Sequence, residues 1–249
     1  MILTSIFHAK TAAPRAALGK FLGAAVFGAS ALMSQAHAET ITFEGYSGLV
    51  GGTDTIQTAG FNLGFYANVA GGGPGAFVGM FADGTDPQGC ASGACPVNNP
   101  GTYYAALNDS YIDLSFNGDR SFSIKSFDAS FIGGNPTLSS YPALSGILEI
   151  QAITVDGATV FADFALNGPN ANGFQFGQFS TGAFGNLALQ EAFFYGLVCN
   201  SVGQCDAFNS DRAQFGIDNL AVSVPEPSTK LTFGLGLLGM LAFARRRKV

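Results

Sequence analysis

The sequence has no tryptophan, and its only two histidines, His8 and His37, lie in the first 38 residues. The remaining chain therefore lacks imidazole. That excludes histidine-based triads, most general acid–base schemes and histidine-ligated metals there. It also lacks the indole platforms on which a sugar ring can rest. Cations are scarce. Lys10, Arg15 and Lys20 precede residue 39, and Lys230, Arg245, Arg246, Arg247 and Lys248 follow residue 223. The span 39–223 keeps only Arg120, Lys125 and Arg212, against sixteen of the seventeen acids, a net charge of −13 where the whole chain has −6. Nothing supplies the basic footprint that nucleic acid requires. An acidic surface of this kind favours solubility and attracts cations.

Sustained 3.6-residue periodicity is also missing between Glu39 and Val224. What is present is glycine (34 residues), phenylalanine (24) and short apolar stretches broken by Gly, Asn and Pro, the composition of a turn-rich all-β protein whose core volume comes mainly from Phe. Ile112, Leu114 and Phe116 alternate with Asp113 and Ser115, as in a half-buried strand. Ile124 and Phe127 fall on opposite parities, which predicts a bulge near Lys125 and Ser126. Asp156-Gly157 predicts a type I′ hairpin that pairs Val155 with Ala158 and Ile153 with Val160.

Both ends read as export signals. The three early cations precede an apolar stretch and the small-x-small pattern Ala36-His37-Ala38, which predicts a signal peptide over 1–38 with cleavage between Ala38 and Glu39. At the other end stand Val224, Pro225, Glu226, Pro227, Ser228 and Thr229, then an apolar run bounded by Leu231 and Ala244, then the basic stop Arg245, Arg246, Arg247 and Lys248. The prolines hold the hexamer extended. As a helix the 14-residue run would span roughly 21 Å, short of the ~30 Å hydrocarbon core. Its flanking cations can snorkel, and the basic cluster orients it positive-inside.

This order of hexamer, apolar run and arginine cluster resembles the PEP-CTERM sorting signal of Gram-negative bacteria. The resemblance implies an exosortase-like processing enzyme as partner and transient tethering to the inner membrane. Delivery to the cell envelope or exterior would follow, in an exopolysaccharide or biofilm setting. Lys230 departs from the pattern by placing a charge where the apolar run usually begins. The implied organisation is a signal peptide (1–38), an exported domain (39–223) and a sorting signal with a short membrane helix (224–249).

The ends of the body, Ile41-Thr42-Phe43-Glu44-Gly45 and Phe215-Gly216-Ile217-Asp218-Asn219-Leu220, resemble those of jelly-roll-like β-sandwiches, including carbohydrate-binding-module-like ones. There the first and last strands pair, and nearby acids can hold a structural Ca²⁺. Glu44 and Asp218 are the candidate calcium ligands, with Asp83 and Asp86 as a second acidic turn. No other cofactor is expected. Export favours local disulfides, Cys90 with Cys95 and Cys199 with Cys205; cross-pairing of the loops and a four-cysteine zinc site are the alternatives. Tyr103, Tyr104 and Tyr111 are a candidate sugar platform. No motif singles out a catalytic pair among the acids, and Lys125 reads as a surface residue. The expectation is therefore a non-enzymatic envelope or matrix protein, structural or adhesive. The alternatives are a carbohydrate-binding module for exopolysaccharide and a glycan hydrolase.

Overall fold

The computed structural model describes residues 37–225, apart from 69–71, 87–88, 119 and 210. Most of the expected signal peptide, the motif residues from Glu226 onward, the apolar run and the basic stop lie outside the described residues. Among those described, no helix is long and apolar enough to cross a membrane.

The described chain is a sandwich of two seven-stranded antiparallel sheets. The first sheet contains β1 (His37–Ile41), β2 (Gly48–Gly51), β5 (Phe77–Asp83), β6 (Thr102–Ala106), β8 (Ser123–Phe131), β11 (Gly177–Ser180) and β14 (Phe215–Val224). The second contains β3 (Thr55–Thr58), β4 (Phe61–Ala67), β7 (Ser110–Phe116), β9 (Leu144–Thr154), β10 (Thr159–Asn167), β12 (Leu189–Cys199) and β13 (Cys205–Ala207). The orders are β11-β8-β14-β6-β5-β2, and β10-β9-β12-β7-β4-β3 with β13 on β12.

β14 organises the first sheet. β8 borders it along its length, while β6 takes Phe215, Gly216 and Ile217 and β1 takes the run from Leu220 to Val224 on the other edge. The first and last strands of the body thus pair. Cleavage after Ala38 would leave Glu39, Thr40 and Ile41 in that ladder, opposite Val222, Ala221 and Leu220.

The expected irregularity in β8 is present. Ile124 opposes Val222 and Ser126 opposes Ala221, so Lys125 is skipped and Ile124, Phe127, Ala129 and Phe131 all face inward. β14 carries a matching irregularity at Asn219, whose φ of 50° lets both Ile217 and Leu220 point into the core. The hairpin at 154–159 departs from the expectation. Only Gly157 has positive φ there, and Ile153 pairs with Thr159 rather than Val160. Thr154 sets this longer loop: its Oγ1 accepts from Ala158 N and donates its one proton to Asp156 Oδ1, with Ala158 O also at 3.0 Å.

The inter-sheet core is built of aromatic rings. Phe61 meets Phe122 edge-on at 5.3 Å, Phe127 meets Phe164 at 4.8 Å, and Phe65 lies 4.5 Å from Tyr104. A second, smaller core of Ala82, Tyr103, Ala105, Leu107 and Ile132 lies on the outer face of the first sheet, closed by Phe176 and the Cys90–Cys95 loop. Both local disulfides are formed, Cys90 with Cys95 and Cys199 with Cys205, and no cysteine is free. Zinc and cross-pairing are thereby excluded.

Phe194 is fully buried against Phe127 across the sandwich. Phe194→Ala is expected to cost about 3–5 kcal/mol in a urea unfolding titration, and a loss under ~1 kcal/mol would contradict close packing at this layer.

Candidate functional site

Two regions concentrate polar chemistry. The first is the expected acid pair, on the outer face of the first sheet. Asp218 is buried (3 % exposed) and opposes Asp128 in the ladder. Its Oδ2 accepts from Asn99 Nδ2 at 2.9 Å, while Oδ1 is buried with no partner. Asn99 Oδ1 in turn accepts from Gly101 N at 2.8 Å, and Glu44 Oε1 accepts from Thr102 N at 3.0 Å. A Cβ on Gly101 would run into Glu44, so glycine there lets the carboxylate approach. Asn219 Nδ2 donates to Asp128 Oδ2 at 2.8 Å. The Asp218 carboxyl is pushed up from its ordinary range by burial, an effect opposed by the Asn99 and Asn219 donors and reinforced by Glu44 and Asp128. Glu44 and Asp218 are thus brought into one electrostatic neighbourhood. Among the described residues, no group of three or more His, Cys, Asp or Glu side chains could hold a metal ion. A calcium ion here would depend on two carboxylates plus backbone oxygens.

The second acidic turn serves its own backbone. Asp83 Oδ1 accepts from Thr85 N at 2.9 Å and from Thr85 Oγ1 at 2.7 Å, and these bonds hold the carboxyl below its usual range.

The expected tyrosine platform is overturned in two of its three members. Tyr103 and Tyr104 are both 0 % exposed. Adjacent strand residues point to opposite faces, so Tyr104 enters the inter-sheet core and Tyr103 the second core, which covers what would otherwise be an outer surface. Burial pushes both phenols well up from their ordinary range. Lys125 is exposed, as expected, with Nζ on Gly185 O.

Tyr111 belongs to a different constellation, the second region, on the outer face of the second sheet. Through the ladders, Asp163 of β10, Glu149 of β9, Tyr195 of β12, Tyr111 of β7 and Tyr66 of β4 stand side by side in one row across five strands. The next row carries Phe161, Gln151, Phe193, Asp113 and Gly64. Tyr66 stacks on Tyr111 (5.4 Å, 22°) and Tyr195 on Phe208 (5.2 Å, 23°). Tyr66 lies across Gly64, where an added Cβ would come within 2.6 Å of the ring, so glycine allows the ring to lie on the sheet. Phe161 is 58 % exposed at the far end. Among the described residues, no buried core cluster forms on this face.

The acids here come in two pairs. Tyr195 Oη donates to Glu149 Oε1, and Glu149 also shares a hydrogen bond with Asp163. Burial raises the Glu149 carboxyl, the Tyr195 bond lowers it, and Asp163 raises it. Asp113 shares a hydrogen bond with Glu191, and its Oδ1 is buried without a partner. Burial, then Glu191, pushes the Asp113 carboxyl up to about 6. The strands of this sheet contain Asp113, Glu149, Asp163, Glu191 and Asp206 and no Lys or Arg. Sequence reading found Tyr111 but not its companions, since they come from strands far apart in the chain; the one local signal was the Asp113 alternation.

Residues 223–248 match the sequence family described as the PEP-CTERM protein-sorting motif. No relative is found among curated proteins. Among solved structures, the chain is similar to a DUF4465 family protein from Bacteroides caccae, at 11% identity over 76% of this chain and 100% of that one, with a TM-score of 0.46. It is also similar to the tandem CBM22 domains of Paenibacillus barcinonensis Xyn10C, at 11% identity over 78% of this chain and 47% of that one, with a TM-score of 0.32. A further similar structure is a CBM61 module in complex with β-1,4-galactotriose, at 8% identity over 50% of this chain and 72% of that one, with a TM-score of 0.26. The sorting motif and the two disulfides are features of an exported protein.

The raised Asp113 carboxyl carries a stability signature. Its folded-state value of about 6 exceeds the ordinary 3.8, so ionisation opposes folding above pH 6 and the cost fades as pH falls toward 4. After discounting for partial exposure, Asp113→Asn should stabilise the protein by about 1–2 kcal/mol at pH 8 and scarcely at all at pH 4. Denaturant midpoints at the two pH values test this, and an equal effect at both would contradict it.

Proposed function

We propose that this chain, a bearer of the PEP-CTERM protein-sorting motif, is an exported envelope or matrix protein that adheres to exopolysaccharide through the outer face of its second sheet. The observation that carries this reading is the row of Tyr66, Tyr111 and Tyr195 continued by Glu149 and Asp163. Four inter-strand steps make it about 19 Å long, the shape of a chain-binding strip rather than a small pocket. Ring faces offer apolar surface to the C–H faces of sugars, and the carboxylates accept their hydroxyl protons. In this reading the tail is handled by an exosortase-like enzyme while the apolar run holds the chain briefly at the inner membrane.

The geometry favours binding over hydrolysis. Glycosidase carboxyl pairs stand about 5–5.5 or 6.5–9.5 Å apart. Asp113 with Glu191 and Glu149 with Asp163 are instead direct neighbours, Glu191 raising the Asp113 carboxyl and Asp163 the Glu149 carboxyl, rather than carboxyls held apart across a bond to be cleaved. Affinity electrophoresis in gels cast with the producing organism's exopolysaccharide tests the reading. The full chain should be retarded, and Tyr111→Ala should weaken retardation at least tenfold in apparent Kd. Identical mobility with and without polysaccharide would refute it.

We also propose that Glu44 and Asp218 bind a structural Ca²⁺. The fit rests on the buried, unpartnered Asp218 Oδ1, a hard oxygen that such an ion would satisfy. The ion would fix the Asn99 loop against β14. Excess chelator should lower the melting temperature by several degrees in the unsubstituted chain and leave Asp218→Asn unchanged; a chelator-insensitive melt of the unsubstituted chain would overturn this.

A further inference from the structure

The charge of the same face narrows its ligand. This step rests on the glycan-binding reading above and specifies the class of polysaccharide. Asp113, Glu149, Asp163 and Glu191 all project from the aromatic-bearing face. No strand of that sheet supplies a cation. The three basic residues of the body lie outside the strands of this sheet. Arg120 stands 4.4 Å over the Phe116 ring beyond the end of β7, Lys125 belongs to the other sheet, and Arg212 is bonded to Asn209 in the loop before β14.

A polysaccharide of uronic acids or other anionic sugars would meet the like charge of four carboxylates here, and like-charge juxtaposition at an interface is costly. A neutral glycan would have to desolvate carboxylates and gain no charge in return. We infer that the face is built for a cationic polysaccharide, a polymer of amino sugars with free protonated amines. An ammonium group can be satisfied in two ways on this surface. It can donate to the exposed carboxylate of Asp163 and to Glu149 beside it, relieving the repulsion between them. It can also sit against the half-exposed rings of the tyrosine row, since aromatic rings attract cations. The row runs from two acids to three rings, so a polymer laid along it would meet carboxylates at one end and ring faces at the other.

The test is isothermal titration of the full-length chain in detergent micelles at pH 6 with three probes of equal length: glucosamine oligomers, N-acetylglucosamine oligomers and galacturonate oligomers. The glucosamine oligomer should bind at least tenfold more tightly than its acetylated counterpart, the galacturonate should not bind, and the preference should collapse in 0.5 M salt. Asp163→Asn, at an exposed position, should reduce the preference severalfold without changing the circular dichroism spectrum. Equal affinity for amine and acetylated oligomers, or any binding of the galacturonate, would overturn the inference while leaving glycan adhesion intact. Silence toward all three probes, together with no retardation in exopolysaccharide gels, would remove both.

Discussion

Everything described here depends on the ladder around β14. That strand takes β8 on one edge and shares the other between β6 and β1, so it ties the start of the body, its middle and its end into one sheet. Because its partners come from far apart in the chain, the sheet can form only when the whole body has been made. Asn219 then sets what each half of β14 does. Its left-handed backbone changes the inward parity, so the strand buries Ile217 before the bulge and Leu220 and Val222 after it. Asp218, just before the bulge, is left on the outer side, beneath Asn99.

The two outer faces have opposite fates. On the first sheet, the disulfide-closed loop and Phe176 cover Tyr103 and create a second core. On the second sheet no such layer forms among the described residues, and aromatic and acidic side chains gather there without a third layer above them. The exposed aromatic row is therefore confined to the second sheet, while the first sheet keeps its polar chemistry beside the covering loop, at Asp218, Asn99 and Glu44. The packed loop buries Tyr103 and the inter-sheet core buries Tyr104, so both members of the tyrosine pair are wholly covered.

Local patterns in the sequence were good guides to local structure. The alternation at 112–116 marks β7, and the parity break near Lys125 is the irregularity opposite β14. The hairpin at Asp156-Gly157 was legible as a turn but not in its register, because Thr154 bonds around the loop and lengthens it by more than the dipeptide alone foretells. Glu44 and Asp218 were legible as neighbours once the end strands were taken to pair. The burial of Tyr103 was not, since it requires knowing that a distant loop folds over it. The row of Tyr66, Tyr111, Tyr195, Glu149 and Asp163 was equally hidden: only Glu149 and Asp163 share a hairpin, and the ladder register of distant strands assembles the rest.

The end of β14 has a geometric consequence for export. Val224 is the last ladder residue and Pro225 follows at once, so no spacer separates the folded sandwich from the start of the sorting motif. The ladder partners of Ser223 and Val224 are Ala38 and His37, which lie on the far side of the expected leader cleavage. Removing the leader would strip Val224 of its ladder partner and leave Ser223 held only by Ser123 of β8. The two terminal processing events would then share one strand end, and trimming the front of the protein would loosen the grip on its back.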